Sequence, residues 1–312
     1  MEKFRTILYT GIMNSKQFFG IVEIRTKLIS MSTFFMGTLY AYLRTGEFSV
    51  LIFFIMMFSV LCVDMGTTGF NAYYDFKNGT DDARNNVEKN KVLLHQGVDA
   101  QKALRISVAL FLLAGISGII IAYLTSWYVL VVGAACMGVG YVYTGGPYPI
   151  SRTPLGEIVA GGFLGTVLFV LSFFVQVQEL TWAMFFVSLS SSAVVASILT
   201  ANNSCDLVGD KEVGRKTLSI LVGAKISEWL IYLLGVGAYV WAGIMIIVGY
   251  YPIVTALFFT VGLILAGFIY RGMHKIGYNF NTKDQIMGNI AKVYLVFTLM
   301  TLLGLGAAVL TG

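Results

Sequence analysis

Charge is what this chain of 312 residues has least of. Asp, Glu, Lys and Arg make up 12% of it, while 57% is hydrophobic. A soluble domain is about 25% charged, and a folded chain with half that share could not cover its surface with polar groups. The shortage excludes a soluble globular enzyme and a disordered protein. Cysteine is also scarce. Cys62, Cys136 and Cys205 form no CxxC pair, which argues against a disulfide framework and a zinc site. The two histidines, His95 and His274, are lone residues in or near loops and read as solvated rather than as ligands. No HExxH, GxSxG, P-loop or dinucleotide-binding signature is present. The first twenty residues contain no uninterrupted apolar run with a small-residue cleavage site, so they read as retained rather than as a signal peptide.

What the chain has in abundance is long apolar runs. A membrane-crossing helix needs about 20 mainly apolar residues. Nine stretches qualify, at about 28–44, 48–74, 104–124, 127–147, 155–177, 180–201, 226–248, 251–270 and 290–311. They are too long for the roughly ten-residue alternation of an outer-membrane barrel. The expectation is an all-α polytopic membrane protein, one domain over 1–312, with nine transmembrane helices. A segment at 1–27 is cytoplasmic or interfacial, and two polar loops run over 75–103 and 202–225. Lys and Arg favour the cytoplasmic side. With the N-terminus in the cytoplasm and the C-terminus outside, 20 of the 21 Lys and Arg residues fall on the cytoplasmic side, and only Arg44 does not. Eight or ten spans would spoil that sorting. The net charge of +5 therefore reports topology rather than nucleic-acid binding.

The two polar loops carry the chemistry. The first begins FNAYYDFKNGTDD and the second ANNSCDLVGDKEVGRKTL, each at the cytoplasmic end of an even-numbered span. Asn71 and Asp75 are spaced i,i+4, as are Asn202, Asp206 and Asp210, which puts each set on one helix face. Asp81 follows across Gly79, a residue suited to ending the helix. The two NxxxD units lie 131 residues apart and suggest two similar halves plus a ninth helix. Carboxylates gathered at one place repel one another in a low dielectric unless cations neutralise them. Mg2+ takes carboxylate oxygens together with substrate phosphate oxygens. Lys89, Lys91, Lys211, Arg215 and Lys216 could hold the remaining phosphate charge. The combination implies a metal-bound lipid pyrophosphate whose tail enters the apolar bundle. Asp82, Glu88, Asp99 and Glu212 read as solvated.

These motifs resemble those of the UbiA superfamily of intramembrane prenyltransferases. NAYYDFKNGTDD and the NNxxDxxxDxxxGRKTL pattern, with YTGGPYPISRTPLGE at 143–157, resemble the menaquinone-branch 1,4-dihydroxy-2-naphthoate polyprenyltransferases. The resemblance covers nearly the whole chain. It implies a helix bundle around a central cavity that opens to the cytoplasmic side of a bacterial membrane. It implies Mg2+ as cofactor and a polyprenyl diphosphate and 1,4-dihydroxy-2-naphthoate as partners, with demethylmenaquinone as product. Asn71, Asp75 and Asp81 match the first motif; Asn202, Asp206 and Asp210 match the second. By the same resemblance, Asp75, Asp81, Asp206 and Asp210 would hold the metal. Asn71, Asn202, Lys91, Lys211, Arg215 and Lys216 would hold the diphosphate. The chain departs from the family's pattern in having Cys205 where many relatives have Arg, and EIRTK before the first span instead of a Pro-containing stretch. A paralogue acting on another aromatic or quinone precursor, or feeding a separate demethylmenaquinone pool, fits the same motifs.

Several residues stand apart. Asp64 lies inside the second span, on the motif face and about 16 Å deeper than Asp75 by helical rise. An intramembrane carboxylate suggests function: it shapes a polar part of the cavity or handles an acceptor proton, against the alternative of a neutral acid bonded to a neighbouring helix. Arg25 and Lys27 read as anchors or as partners of an acidic acceptor. Arg152 and Glu157 read as a local ion pair or a helix N-terminal contact, with substrate contact second. Tyr73, Tyr74, Tyr141, Tyr143 and Tyr148 are candidates to face a carbocation, although packing explains most aromatics equally well. A secondary transporter is the rival from another class, but transporters place ionisable groups near the midplane, and here only Asp64 lies deep. The expected topology is checked by cysteine labelling in sealed vesicles: a cysteine placed near Gly312 should react from outside and one near Lys3 only after permeabilisation.

Overall fold

The computed structural model describes residues 14–79 and 91–311, and all its regular elements are helical. Nine long helices are present among the described residues. They are α1 (Lys27–Thr45), α2 (Val50–Lys77), α3 (Ala100–Leu124), α4 (Trp127–Thr144), α5 (Gly156–Val177), α6 (Trp182–Cys205), α7 (Ala224–Ile247), α8 (Thr255–Ile276) and α9 (Lys283–Thr311). Eight of them are long and apolar enough to cross a membrane. The exception is α1. Its 19 residues still rise about 28 Å, but Ser30, Ser32, Thr33 and Thr38 dilute its apolar character. Those four are buried against other helices rather than turned to lipid. The lipid-facing sides carry exposed Leu112, Ile116, Leu233, Leu257 and Phe268, as hydrocarbon solvent requires.

Local sequence explains the boundaries. Ser49, Asp99, Ser126 and Thr181 cap the starts of α2, α3, α4 and α6 with side-chain oxygens. At the far end of α2, Gly79 adopts φ +71° just past the cap, a left-handed conformation that favours glycine and stops the helix. The polar loops are shorter than the sequence suggests, because α2 and α6 carry their helical turns through Asp75 and Asn202.

Packing closes the bundle. The helix α2 packs on α3, α6 on both α5 and α7, and α8 on α9, while α1 joins the two halves by lying against α5 and α9. Tyr40 and Phe173 of the α1–α5 contact are 0% and 1% exposed. Alternation of direction sends the start of α1 and the ends of α2, α4 and α6 to the same end of the bundle, with the start of α9 beside them.

The helix α5 is not regular throughout. Gly161–Val167 winds as a π-helix. Ser192 of α6 donates its hydroxyl to the Gly161 carbonyl at 2.5 Å, and a side chain inserted into the ladder is a recognised cause of such a widened turn. Close approach at this crossing needs glycine: a Cβ on Gly165 would lie 2.4 Å from the Ser192 backbone, whereas one on Gly162 would meet nothing. Gly165→Ala should therefore destabilise the protein by about 1–3 kcal/mol through overpacking, and Gly162→Ala should be close to neutral. Thermal unfolding midpoints in detergent check the pair, and equal midpoints would refute the close-approach explanation.

Candidate active site

The two acidic motifs meet at one end of the bundle. The last turns of α2 carry Asn71 and Asp75. The end of α6 carries Asn202, Asn203 and Asp206, and the short helix Leu207–Glu212 carries Asp210. All line one polar cavity of about 750 Å³, along with Lys91, Arg215 and Lys283. A second, mainly apolar cavity of about 720 Å³ runs between α2, α3, α4 and α5. Glu23, Asn71, Tyr143, Leu199, Asn202 and Lys283 line both. They form a seam where the polar chamber gives way to the apolar one.

Cationic side chains already balance the carboxylates. Lys283 donates to Asp206 at 2.7 Å. Arg215 donates to Asp210 at 2.8 Å and to the Ser151 carbonyl at 2.7 Å. Lys91 reaches Glu23 at 3.2 Å. Burial pushes the Asp210 carboxyl above the usual carboxylate range, and the Arg215 guanidinium opposes the shift. Glu23 holds φ 45°, an uncommon backbone conformation for a residue with a side chain, at the seam.

Loop 145–155 clasps the second motif. Arg152 donates to the Val213 carbonyl at 2.5 Å, and the Lys216 amide donates to the Arg152 carbonyl at 2.9 Å. Glu157, 2% exposed, accepts from Asn203 at 2.8 Å. Arg152 and Glu157 are thus not paired with each other, although Glu157 does lie in the first turn of α5, where a helix N-terminal contact is the alternative. Each binds the neighbouring motif segment.

Most residues singled out by sequence come together. Asn71, Asp75, Lys91, Asn202, Asp206, Asp210 and Arg215 all line the polar cavity. Lys211 and Lys216 are exposed and line neither cavity. Asp81 and Lys89 lie outside the described residues, as does the segment 1–13. Asp64 lines the apolar cavity. Its partner is Lys27, which is 3% exposed and so no surface anchor. Among the tyrosines, Tyr143 lines the seam, Tyr74 and Tyr141 bond each other at 2.8 Å, and Tyr148 is exposed. His274 is a surface residue paired with Glu228. Sequence reasoning missed Lys283, Glu23 and Asn203. The only signal for Lys283 was its position as a lysine opening the last apolar span.

The donor set suits a divalent cation with an anion. In the polar cavity, Asn71 Oδ1, Asn203 Oδ1 and Asp210 Oδ2 are buried without a hydrogen-bond partner, and such oxygens call for a ligand. Among the described residues no three His, Cys, Asp or Glu side chains converge on one point. A metal here would need oxygens from its substrate or water, as Mg2+ ordinarily takes.

Residues 30–286 match the UbiA prenyltransferase family. The chain belongs to that family. It is 36% identical over 200 residues to the 1,4-dihydroxy-2-naphthoate octaprenyltransferase of Bacillus subtilis (strain 168), a match spanning 64% of this chain and 64% of that protein. The matched length is thus less than two thirds of that relative. Among solved structures, the UbiA fold is shared with digeranylgeranylglyceryl phosphate synthase at TM-score 0.65 and 17% identity, over 93% of this chain and 98% of that one. A UbiA homolog from Archaeoglobus fulgidus bound to GPP and Mg2+ superposes at TM-score 0.62 and 14% identity, over 93% and 99%. At these identities the likeness concerns the fold.

The clasp gives a direct test. Arg215→Ala should cost about 3–5 kcal/mol, because it leaves Asp210 buried without its cation. Arg215→Lys should restore little, since an ammonium cannot reproduce the two-directional fork. Unfolding midpoints would show this, and a fully stable Arg215→Lys would refute it.

Proposed function

We propose that this UbiA-family protein transfers a polyprenyl group from its diphosphate to 1,4-dihydroxy-2-naphthoate with loss of CO2, giving the hydroquinone form of demethylmenaquinone, at one face of a bacterial cytoplasmic membrane. The observation that carries the reading is the seam: a polar cavity lined by two acidic helix ends adjoins an apolar cavity inside the bundle. That shape suits a molecule with a multiply charged head and a hydrocarbon tail. The name of the Bacillus subtilis relative supports the naphthoate acceptor, and the A. fulgidus homolog's GPP and Mg2+ support the donor class and the metal.

In this reading Asp75, Asp206 and Asp210 would contribute ligands to Mg2+, with substrate or water oxygens completing its shell and Asn71 and Asn202 beside them, and Asp81 would join them by its match to the first motif. When bound, the metal supplies positive charge opposite the leaving diphosphate. Arg215, Lys91 and Lys283 line the chamber that receives the phosphate oxygens, and cations fixed where negative charge develops lower the barrier to ionisation. The allylic carbon then lies at the seam. Tyr143 turns an aromatic side chain to that region, where a π face stabilises positive charge. The apolar walls of the inner cavity keep water from the cation. The acidic groups concentrate at one end of the bundle rather than along its middle, which favours chemistry at that face over transport.

Purified protein given Mg2+, a polyprenyl diphosphate and the naphthoate should release pyrophosphate and form prenylated product. Asp75→Ala and Asp206→Ala should each lower turnover by about 10²-fold or more, the scale of losing a major charge-stabilising group. Release that is independent of Mg2+, or equal in the variants, would overturn the reading.

A further inference from the structure

One ion pair sits where hydrocarbon is expected. Lys27 at the start of α1 meets Asp64 within α2 at 2.5 Å, and the Asp64 side chain keeps 16% of its surface exposed while lining the apolar cavity. Desolvating two charges costs free energy that an apolar pair of similar size would not, and an ionisable group at membrane depth points to a function.

Counting donors and acceptors identifies what the pair can bind. All three N–H bonds of the Lys27 ammonium are spent on the protein, to Asp64 Oδ1 at 2.5 Å, the Asp64 carbonyl at 3.2 Å and Thr68 Oγ1 at 2.6 Å. Asp64 Oδ1 accepts from Lys27, and Oδ2 accepts from the Ser30 hydroxyl at 2.5 Å. Each carboxylate oxygen retains capacity for a further bond. The cluster therefore offers the cavity acceptors and no ammonium donor. The chemical group it fits is a hydroxyl, not a carboxylate or a phosphate. Because Lys27 cancels the charge of Asp64, the pair also tolerates an acidic ligand that a lone carboxylate would repel.

Its depth fits the same ligand. Asp64 lies seven residues before Asn71, about 10 Å along the helix axis and about 20° from the same face. An aromatic whose hydroxyl sits at Asp64 and whose neighbouring ring carbon faces the seam fills that gap, and so presents the carbon next to the hydroxyl to the allylic carbon. Resting on the prenyl-transfer reading above, we propose that Asp64 is a further catalytic residue: it binds the ring hydroxyl adjacent to the carboxylate-bearing carbon and takes its proton as that carbon is prenylated.

The step balances without an added oxidant or reductant. The allylic C–O bond breaks and its electron pair leaves with the diphosphate. A C–C bond forms from the ring carbon that bears the carboxylate, the hydroxyl oxygen becomes a ketone, and its proton moves to Asp64. The product of that step is a β-keto acid. It loses CO2, the electrons of the broken C–C bond flow into the ketone, and Asp64 returns the proton to that oxygen as the ring regains aromaticity. Asp64 begins and ends as a carboxylate. Lys27 is a positioning residue that holds it.

The test compares the wild-type protein with Asp64→Asn, Lys27→Met and Lys27→Arg on two acceptors, 1,4-dihydroxy-2-naphthoate and 4-hydroxy-2-naphthoate, which lacks the relevant hydroxyl. Asp64→Asn should lower kcat on the dihydroxy acceptor by about 10²–10⁴-fold, the range for a positioned proton-transfer group, with the KM for polyprenyl diphosphate unchanged. The monohydroxy analogue should be slow with the wild type and no slower with Asp64→Asn. Lys27→Met should lose kcat, and Lys27→Arg should recover part of it. Wild-type kcat and acceptor KM in Asp64→Asn would overturn the proposal. So would a wild-type enzyme that uses both acceptors equally, a result that decides the matter even if a variant fails to fold. A wild-type protein that prenylates neither acceptor but releases pyrophosphate with another aromatic would instead remove the naphthoate reading, and this inference with it.

Discussion

A charge carried into hydrocarbon has to meet its opposite, and that requirement organises this molecule. Charged residues are few, and two of the pairs at the working end of the bundle join separate long helices. Lys27 of α1 meets Asp64 of α2, and Lys283 of α9 meets Asp206 at the end of α6. The Arg215–Asp210 pair is itself tied to Ser151 in the loop before α5. Each pair fixes the relative position of elements that apolar packing alone would leave free to slide, since lipid tails solvate leucine as well as another helix does. The pairs also set where the acidic motifs face. Asp206 is directed toward the start of α9 and into the shared chamber, not toward solvent.

This constraint produces two cavities of unlike character in contact. The polar one exists because carboxylates and cations at the helix ends cannot be packed away; the apolar one exists because α2 to α5 carry side chains such as Val63, Leu130 and Phe163 that line an inner space. The π-helical stretch of α5 contributes Phe163 and Leu164 to that wall, while Gly161 and Gly165 let α6 approach closely. An amphiphile with a charged head is the complement of such a pair of chambers, which is why the seam, rather than any single residue, carries the functional reading.

Much of this was legible in the sequence, and the reason is locality. Helix spans follow from runs of apolar residues about as long as the bilayer is thick. The Asn71–Asp75 and Asn202–Asp206 faces follow from spacing on one helix. What escaped depended on which helices pack together. Lys283 looks like one more basic residue at a helix start, and its partner lies 77 residues away. Lys27 fits the rule that Lys and Arg anchor a cytoplasmic face, and only the packing of α1 on α2 shows that it points inward. Lys211 and Lys216 show the reverse relation between sequence and position. They flank the cavity residue Arg215 closely in sequence, but rotation about the short helix and the following turn leaves both exposed.

The prior pairing of the motif acids bears on how a highly charged head could be admitted without flooding the inner cavity. Asp206 and Asp210 each hold a protein cation before any ligand binds, so the polar chamber is not a bare cluster of negative charge. On the proposed reading, Asp206 and Asp210 would hold a divalent cation through oxygens that their cations leave open, Asp210 Oδ2 among them. Lys283 and Arg215 line the same chamber and would stand ready for phosphate oxygens. Lys283 pairs with Asp206 and also lines the apolar cavity, so one side chain borders both the site of the charged head and that of the tail.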